Sequence, residues 1–150
     1  MCIVCDINVL PDVFSSTKND FTPIRDWVIK GKRAKFVYGG SSYLKELEKV
    51  GTYLKILKLL GDQNKTVVLD KNSVDAIEME IKKEIDQKCD DPHIVAILAV
   101  SSCKLICSKD KKSYKFIKGS NFYSQGHHPK IYSKKSNSNL LISRNISKCC

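Results

Sequence analysis

The stretch Asp91-Pro92-His93-Ile94-Val95-Ala96-Ile97-Leu98-Ala99-Val100 decides the fold of this chain of 150 residues. An Asp followed by a Pro is typical of a helix start, and the later residues are apolar on every side of that helix. A helix without a polar face is stable in water only where other elements cover it. The run Lys104–Cys107 follows and predicts a strand, so we expect the helix to lie buried against a sheet.

Strand-like runs alternate with helical segments along the whole chain. The runs that we predict to be strands are Cys2–Cys5, Phe36–Tyr38, Thr66–Leu69, Lys104–Cys107 and Lys130–Tyr132. Strands that alternate with helices imply a mostly parallel sheet with helices on both faces. We therefore predict the α/β class, as a three-layer α/β/α sandwich.

Capping residues and apolar stripes define the helices that we expect between the strands. Ser41 or Ser42 caps one long helix. The apolar stripe of this helix comprises Leu44, Leu47, Val50, Leu54 and Leu57. Asn72-Ser73 caps the next helix, and its inward face comprises Val74, Ile77, Ile81 and Ile85. Residues 133–139 are rich in Ser, Asn and Lys and predict a loop.

The length of the chain fits one domain, which we place at residues 1–132, followed by a basic, partly flexible tail at residues 133–150. The longest apolar run, Ile94–Val100, is too short for a membrane span, which needs about 20 residues. The start of the chain lacks the pattern of a secretion signal. Most of the seven cysteines lie in apolar runs, as reduced cysteines do. We therefore expect a cytoplasmic protein without a membrane partner.

Two acids stand directly behind strand-like runs. Asp6 follows Cys2–Cys5, and Asp110 follows Lys104–Cys107 after two residues. The carboxyl ends of parallel strands meet at one edge of a sheet, which is where ligands bind in this class of fold. Two carboxylates at that edge repel each other unless a cation lies between them. The pattern predicts a site for a hard, oxygen-binding metal.

The net charge of +10 comes entirely from the end of the chain. Residues 1–103 carry fifteen Lys and Arg and fifteen Asp and Glu, whereas residues 104–150 carry eleven basic residues and Asp110 alone. A surface of this kind attracts polyanions, with nucleic acid as the first candidate and an anionic membrane as the second. The alternative is a solvated basic tail without a binding role.

Four short blocks resemble the signature blocks of PIN-domain nucleases in both order and spacing. They are Asp6-Ile7-Asn8-Val9-Leu10, Tyr43-Leu44-Lys45-Glu46-Leu47, Asp91-Pro92-His93-Ile94-Val95-Ala96 and Cys107-Ser108-Lys109-Asp110. Pro129–Tyr132 followed by Leu140-Leu141 is also similar to the end of small bacterial PIN proteins. The resemblance implies a compact α/β/α domain that uses Mg²⁺ or Mn²⁺ to hydrolyse RNA, or structured DNA in some branches. Many such proteins are toxins of toxin–antitoxin pairs.

Carried over position by position, the resemblance implies an acidic quartet of Asp6, Glu46, Asp91 and Asp110. In this interpretation Asp6 and Asp110 hold the principal metal, and Asp91 binds it directly or through water. Glu46 orients the attacking water or a second ion. Many members of the family have a further acid shortly after the last block, but residues 111–114 contain none. A second ion would lack that ligand.

Polar and basic neighbours complete the site that the resemblance implies. Asn8 and Ser108 would support the acids. Lys109, Lys111 and Lys112 would bind the flanking phosphates as point charges.

Three of these acids also have a purely structural interpretation. Asp91 can be the N-cap of its helix, and Asp110 can cap the turn that follows it. Glu46 can be an exposed ion-pair partner of the lysines on its own helix. We expect His93 to be a packed residue rather than a ligand. His127-His128 lies in a loop that can contact RNA, without a catalytic role.

The function that we expect is that of a metal-dependent endoribonuclease with Mg²⁺ or Mn²⁺ as cofactor. Its partners would be RNA, an antitoxin if the protein is a toxin, and a second copy in a homodimer. Two alternatives remain open. One is a structure-specific DNA nuclease, and the other is an RNA-binding module that has lost catalysis.

Overall fold

The computed structural model describes residues 1–84, 89–119 and 121–142. Five strands form one sheet: β1 (Cys2–Cys5), β2 (Lys35–Gly39), β3 (Thr66–Leu69), β4 (Leu105–Cys107) and β5 (Lys130–Tyr132). All pairs of neighbouring strands are parallel, and the strand order is β3-β2-β1-β4-β5. Helices flank the sheet, so the predicted α/β class and three-layer arrangement are confirmed.

The helices follow the strands in chain order. They are α1 (Leu10–Val13), α2 (Thr22–Lys30), α3 (Ser41–Lys49), α4 (Gly51–Asp62), α5 (Lys71–Glu84), α6 (Pro92–Ser101) and α7 (Tyr114–Gly119). Two 3-10 helices, Ile7–Val9 and Lys135–Leu141, lie near the two ends of the described chain.

The strand order creates a switch point between β1 and β4. From β1 the chain adds β2 and β3 on one side of the sheet, and then it crosses to add β4 and β5 on the other. The connections therefore leave β1 and β4 in opposite directions, and a crevice opens beyond their carboxyl ends. This crevice is the expected place for a ligand.

The backbone hydrogen bonding between β1 and β4 continues one residue past the end of β1. Cys5 is in register with Cys107, and the backbone N–H of Asp6 donates to the carbonyl of Cys107 at 2.9 Å. Ser108 similarly donates its backbone N–H to the carbonyl of Tyr132 in β5 at 3.1 Å. Asp6 and Ser108 are thus fixed side by side at the switch point.

Helix α6 is buried along almost its whole length, as its apolar sequence predicts. Every residue from Pro92 to Leu98 is buried, and the helix packs against α5 and strands β1, β2 and β3. It ends at Ser101, and the following residue, the C-cap Ser102, has a φ of 52°, in the left-handed region. This packing fixes the start of α6 close to the carboxyl edge of the sheet.

The helical stripe that begins after Ser41 belongs to two helices rather than one. Helix α3 ends at Lys49, and α4 begins at Gly51, because the backbone of Val50 leaves the helical region with ψ of 53°. A Gly inside a helix is unfavourable relative to Ala, and Gly51 stands at this break. The prediction of a single long helix was therefore wrong.

The predicted caps of α3 and α5 were also wrong. Gly40, with φ of 80°, is the N-cap of α3, and an added Cβ there would lie 2.5 Å from Cγ1 of Val74. The carboxylate of Asp75, in α5, accepts the backbone N–H of Ser41 at 2.7 Å and its hydroxyl at 2.5 Å. Helix α5 begins at Lys71, where Asp70 accepts the backbone N–H of Ser73.

The end of the described chain is a 3-10 helix where the sequence predicts a loop. Residues Lys135–Leu141 pack against α2 and β5, and Asn137 accepts the backbone N–H of Ser133 at 3.1 Å. The rest of the predicted tail, residues 143–150, lies outside the described residues, as does Ile85 of the predicted inward face of α5. Helix α7 was not predicted.

A search of the described ranges found no helix with both the length and the apolar character of a membrane span.

The contact between Asp75 and Ser41 gives a test of the packing between α3 and α5. Asp75→Ala should lower the free energy of unfolding by about 1 kcal/mol, the usual effect of losing an N-terminal cap, because it leaves the N–H of Ser41 without its acceptor. Glu80→Ala on the same helix is the control, since Glu80 is exposed. Urea unfolding of both variants measures the difference, and equal stabilities would contradict the proposed role of Asp75.

Candidate metal centre

Asp6 is a buried carboxylate at the centre of the sheet edge. Its side chain is held by three donors: the backbone N–H of Asn8 at 3.3 Å, the amide Nδ2 of Asn8 at 3.0 Å and the hydroxyl of Ser108 at 2.8 Å. The residue is 8% exposed. Directly after β1 the chain turns into the 3-10 helix Ile7–Val9. The Asp6 side chain caps this helix by accepting the backbone N–H of Asn8.

Ser108 connects the acid of β1 to the acid that follows β4. Its hydroxyl donates to Asp6 and accepts the backbone N–H of Asp110 at 3.1 Å, and the residue is fully buried. The backbone carbonyl of Ser108 accepts the hydroxyl of Tyr114 at 2.8 Å. Ser108 therefore fixes the start of the loop that carries Asp110.

Asp110 is partly exposed and shapes a tight turn. Its Oδ1 accepts the backbone N–H of Lys112 at 2.9 Å, and its carbonyl accepts the hydroxyl of Ser113 at 2.8 Å. The structural role considered for Asp110, a cap of the following turn, is thus present in the molecule. It uses one carboxylate oxygen.

Glu46, Asp91 and His93 form a group whose ligand atoms all lie within 4.8 Å of one another. Glu46 comes from α3, while Asp91 and His93 stand at the start of α6. Nε2 of His93 is 3.8 Å from Oε2 of Glu46. Among the residues that the structure describes, these His, Asp and Glu side chains are close enough together to hold a metal ion.

The carboxylates influence one another across the crevice. Burial raises the pKa of Asp91, and the nearby charges of Asp6, Glu46 and Asp110 raise it further, while His93 opposes them. Burial also raises the pKa of Asp6, against the lowering effect of the hydrogen bonds from Ser108 and Asn8. Four acids from four separate parts of the sequence therefore share one electrostatic environment.

Tyr43 forms a rigid wall beside this group. Its hydroxyl donates to the carbonyl of Cys5 at 2.7 Å, and its ring meets that of His93 edge to face, with 6.2 Å between centroids. Burial raises the pKa of Tyr43, as do the neighbouring Cys5 and Asp6, so it remains a neutral hydrogen-bond donor. The contact restricts the orientation of the imidazole.

The structure argues against two of the simpler structural roles considered above. Asp91 occupies the N-cap position of α6, but its side chain makes no capping hydrogen bond. The ionisable partner that the structure gives Glu46 is His93, with 44% of the Glu46 side chain exposed. Both carboxylates instead belong to the group with His93 whose ligand atoms lie within 4.8 Å of one another.

The basic residues proposed to contact phosphates differ in their surroundings. Lys109 forms an ion pair with Asp12 and lies 5.7 Å from the ring centroid of Phe21. Lys111 and Lys112 are exposed beside Asp110.

His127 and His128 lie in the loop before β5 and differ in exposure. His127 is buried, and its Nε2 lies 2.7 Å from the carbonyl oxygen of Cys103. His128 is exposed and stands two residues before β5, near the end of that strand that is away from the acids.

The sequence analysis expects His93 to be a packed residue, and it is 4% exposed. It stands two residues after Asp91, in the first turn of α6, and its position beside Glu46 and Asp91 was not predicted. Glu46, Asp91 and His93 fit a divalent cation, because two of them offer carboxylate oxygens and the third offers an imidazole nitrogen.

Fold and site together define an α/β protein with a parallel sheet and a candidate metal centre at its switch point. Comparisons of the chain with protein-family models, with curated proteins and with solved structures gave no match.

The raised pKa of Asp91 predicts a pH-dependent effect of Asp91→Asn in metal-free protein. A carboxyl group with a raised pKa in the folded state stabilises the fold at low pH, and this contribution is lost as the pH rises through the folded-state value. Asp91→Asn should therefore be more stable than the parent near pH 7 in EDTA, and the advantage should vanish below about pH 4. Urea unfolding at several pH values measures it.

Asp75→Asn serves as a control of opposite sign. The hydrogen bond from the hydroxyl of Ser41 is the largest cause of the lowered pKa of Asp75, so its stabilising contribution is present at neutral pH and is lost in acid. This variant should be less stable than the parent near pH 7. If Asp91→Asn is less stable than the parent at neutral pH, Asp91 is held by local hydrogen bonds rather than repelled by other acids.

Proposed function

We propose that this protein is a metal-dependent endoribonuclease that hydrolyses RNA phosphodiester bonds with Mg²⁺ or Mn²⁺. The observation that carries the proposal is the shared environment of Asp6, Glu46, Asp91 and Asp110 at the switch point of a parallel sheet. The charges of the other three acids raise the pKa of Asp91, and a bound cation would relieve this repulsion. The order of the blocks in which these acids stand resembles that of PIN-domain nucleases.

A divalent cation held by these carboxylates would supply Lewis acidity for the attack of water on the phosphate. The residues of the chain hold the ligand groups in position. Asn8 and Ser108 hold the Asp6 carboxylate in one orientation, which reduces the reorganisation that cation binding requires. Glu46, which is partly exposed, would orient the attacking water. As the water oxygen bonds to phosphorus, it would lose a proton to solvent, and the 3′ or 5′ oxygen would leave with a proton from solvent as the P–O bond breaks.

The exposed lysines next to Asp110 would bind RNA on the side of β4. Lys111 and Lys112 extend from the turn that Asp110 shapes, so a phosphate bound by them would lie near the acids. Lys109 would have to leave Asp12 before it could bind a phosphate. We propose Lys111 and Lys112 as the principal contacts and Lys109 as a conditional one.

The same residues permit the two alternatives, which the substrate experiment separates. A structure-specific DNA nuclease would use the same acids on a different polymer. An RNA-binding module without catalysis would keep the lysines and leave RNA intact. A toxin role with an antitoxin partner and a homodimer form part of the proposal through the family resemblance alone. A cytoplasmic location forms part of it through the occurrence of most cysteines in apolar runs.

Cleavage of labelled single-stranded RNA tests the proposal. Purified protein should cut RNA with Mn²⁺ or Mg²⁺ and leave it intact in EDTA. Asp6→Asn and Asp110→Asn should each reduce the rate by about 100-fold or more, because each removes charge from the site without removing side-chain volume. In Asp110→Asn the remaining oxygen can still accept the N–H of Lys112, so the turn is preserved.

Asp62→Asn is the matched control for these variants, since Asp62 is exposed at the end of α4. It should cut RNA as fast as the parent. Faster cleavage of a branched DNA substrate than of RNA would favour the DNA nuclease. RNA binding without cleavage under every metal condition would favour the inactive module, and unchanged rates in both Asn variants would show that the acids are not catalytic.

A further inference from the structure

His93 has a buried side chain beside two carboxylates. The residue is 4% exposed, and its Nε2 lies 3.8 Å from Oε2 of Glu46. Its ligand atom and those of Glu46 and Asp91 all lie within 4.8 Å of one another. Within the described residues the imidazole has no hydrogen bond, so its ring is held beside the carboxylates by packing.

The separation of His93 from Glu46 is too long for a direct hydrogen bond and suitable for a shared ion. Direct N–H···O bonds have heavy-atom distances of about 2.7 to 3.2 Å. Two ligand atoms at about 2.1 Å from one cation can be separated by up to about 4.2 Å. The observed 3.8 Å between Nε2 and Oε2 lies inside that limit. The ligand atoms of the whole group, Asp91 included, lie within 4.8 Å of one another, so a cation bound by all three residues requires a small shift of one side chain.

The other acids of the crevice are already more fully engaged by hydrogen bonds. The Asp6 carboxylate accepts three of them, and Oδ1 of Asp110 accepts the N–H of Lys112. Asp91 has no capping bond. The ligand atoms with the fewest competing partners are thus those of Glu46, Asp91 and His93.

Two features hold the imidazole in place before any ion arrives. His93 belongs to the first turn of α6, a helix fixed by burial along most of its length. The ring of Tyr43 packs against it, and the hydroxyl of Tyr43 is itself bound to the carbonyl of Cys5. A ligand that is already oriented loses little conformational freedom when it binds.

We propose that Nε2 of His93 is a direct ligand of the cation, together with Glu46 and Asp91, and that it makes the site prefer a first-row transition metal such as Mn²⁺ to Mg²⁺. Mg²⁺ binds carboxylates, phosphates and water, whereas imidazole suits transition metals. The inference rests on the metal site of the proposed function. It moves the principal ion from the pair Asp6 and Asp110 to a site with one nitrogen ligand.

Pulsed electron paramagnetic resonance of Mn²⁺ bound to the full chain tests this ligand directly. The electron spin echo of the parent should show modulation from a coordinated ¹⁴N nucleus. Protein grown with ¹⁵N-histidine should lose the ¹⁴N modulation and show that of ¹⁵N. This comparison needs no variant and so does not depend on the folding of one.

His93→Gln then assigns the nitrogen to one residue, with His128→Gln as the control because His128 is exposed and stands two residues before β5. His93→Gln should lose the modulation and bind Mn²⁺ at least about 10-fold more weakly, while Mg²⁺ affinity changes little. His128→Gln should behave as the parent in both respects. Mg²⁺ should displace Mn²⁺ from the parent only at large excess.

The failures of the two proposals can be told apart. Bound Mn²⁺ without nitrogen modulation in the parent, or modulation unchanged in His93→Gln, would overturn the histidine ligand even if RNA is cut. Equal affinities of the parent for Mg²⁺ and Mn²⁺ would overturn the metal preference. Nitrogen modulation in a protein that never cuts RNA would keep the ligand and refute the nuclease.

Discussion

The hydrogen bond from the hydroxyl of Ser108 to the carboxylate of Asp6 joins residues that are 102 positions apart, and the candidate site depends on it. It exists because β1 and β4 are neighbours in the sheet and end at the same level. Buried polar groups are stable only when they are paired, so the serine and the acid require each other. Together they fix where the acids of both strands lie.

Charge repulsion between the carboxylates is the second constraint on the candidate site. Asp6, Glu46, Asp91 and Asp110 come from different elements, and the apolar packing of α6 holds one of them close to the others. Packing of this strength can keep like charges together at a cost that a bound cation removes. The cost of holding these acids together and the proposed affinity for a cation would therefore have one origin.

The sequence predicts the parts of this site that are encoded locally. Strand ends can be read from short apolar runs, and parallel strands bring their carboxyl ends together, which is why the sequence places Asp6 and Asp110 at one edge of the sheet. The metal role of these two acids stays a prediction. The cap of α3 could not be found in this way, because its acceptor, Asp75, belongs to a different helix. The position of His93 beside Glu46 could not be predicted, because the distance between the two side chains depends on how α3 and α6 pack.

The stabilisation of the folded protein by Mn²⁺ tests most directly the claim that these acids form a cation site. Thermal or urea unfolding should show that the parent gains about 2.7 kcal/mol at a metal concentration of about 100 times the dissociation constant. At the same concentration Asp91→Asn should gain much less, and Asp62→Asn should gain as much as the parent. Equal stabilisation of all three proteins, or none in any of them, would contradict the cation site.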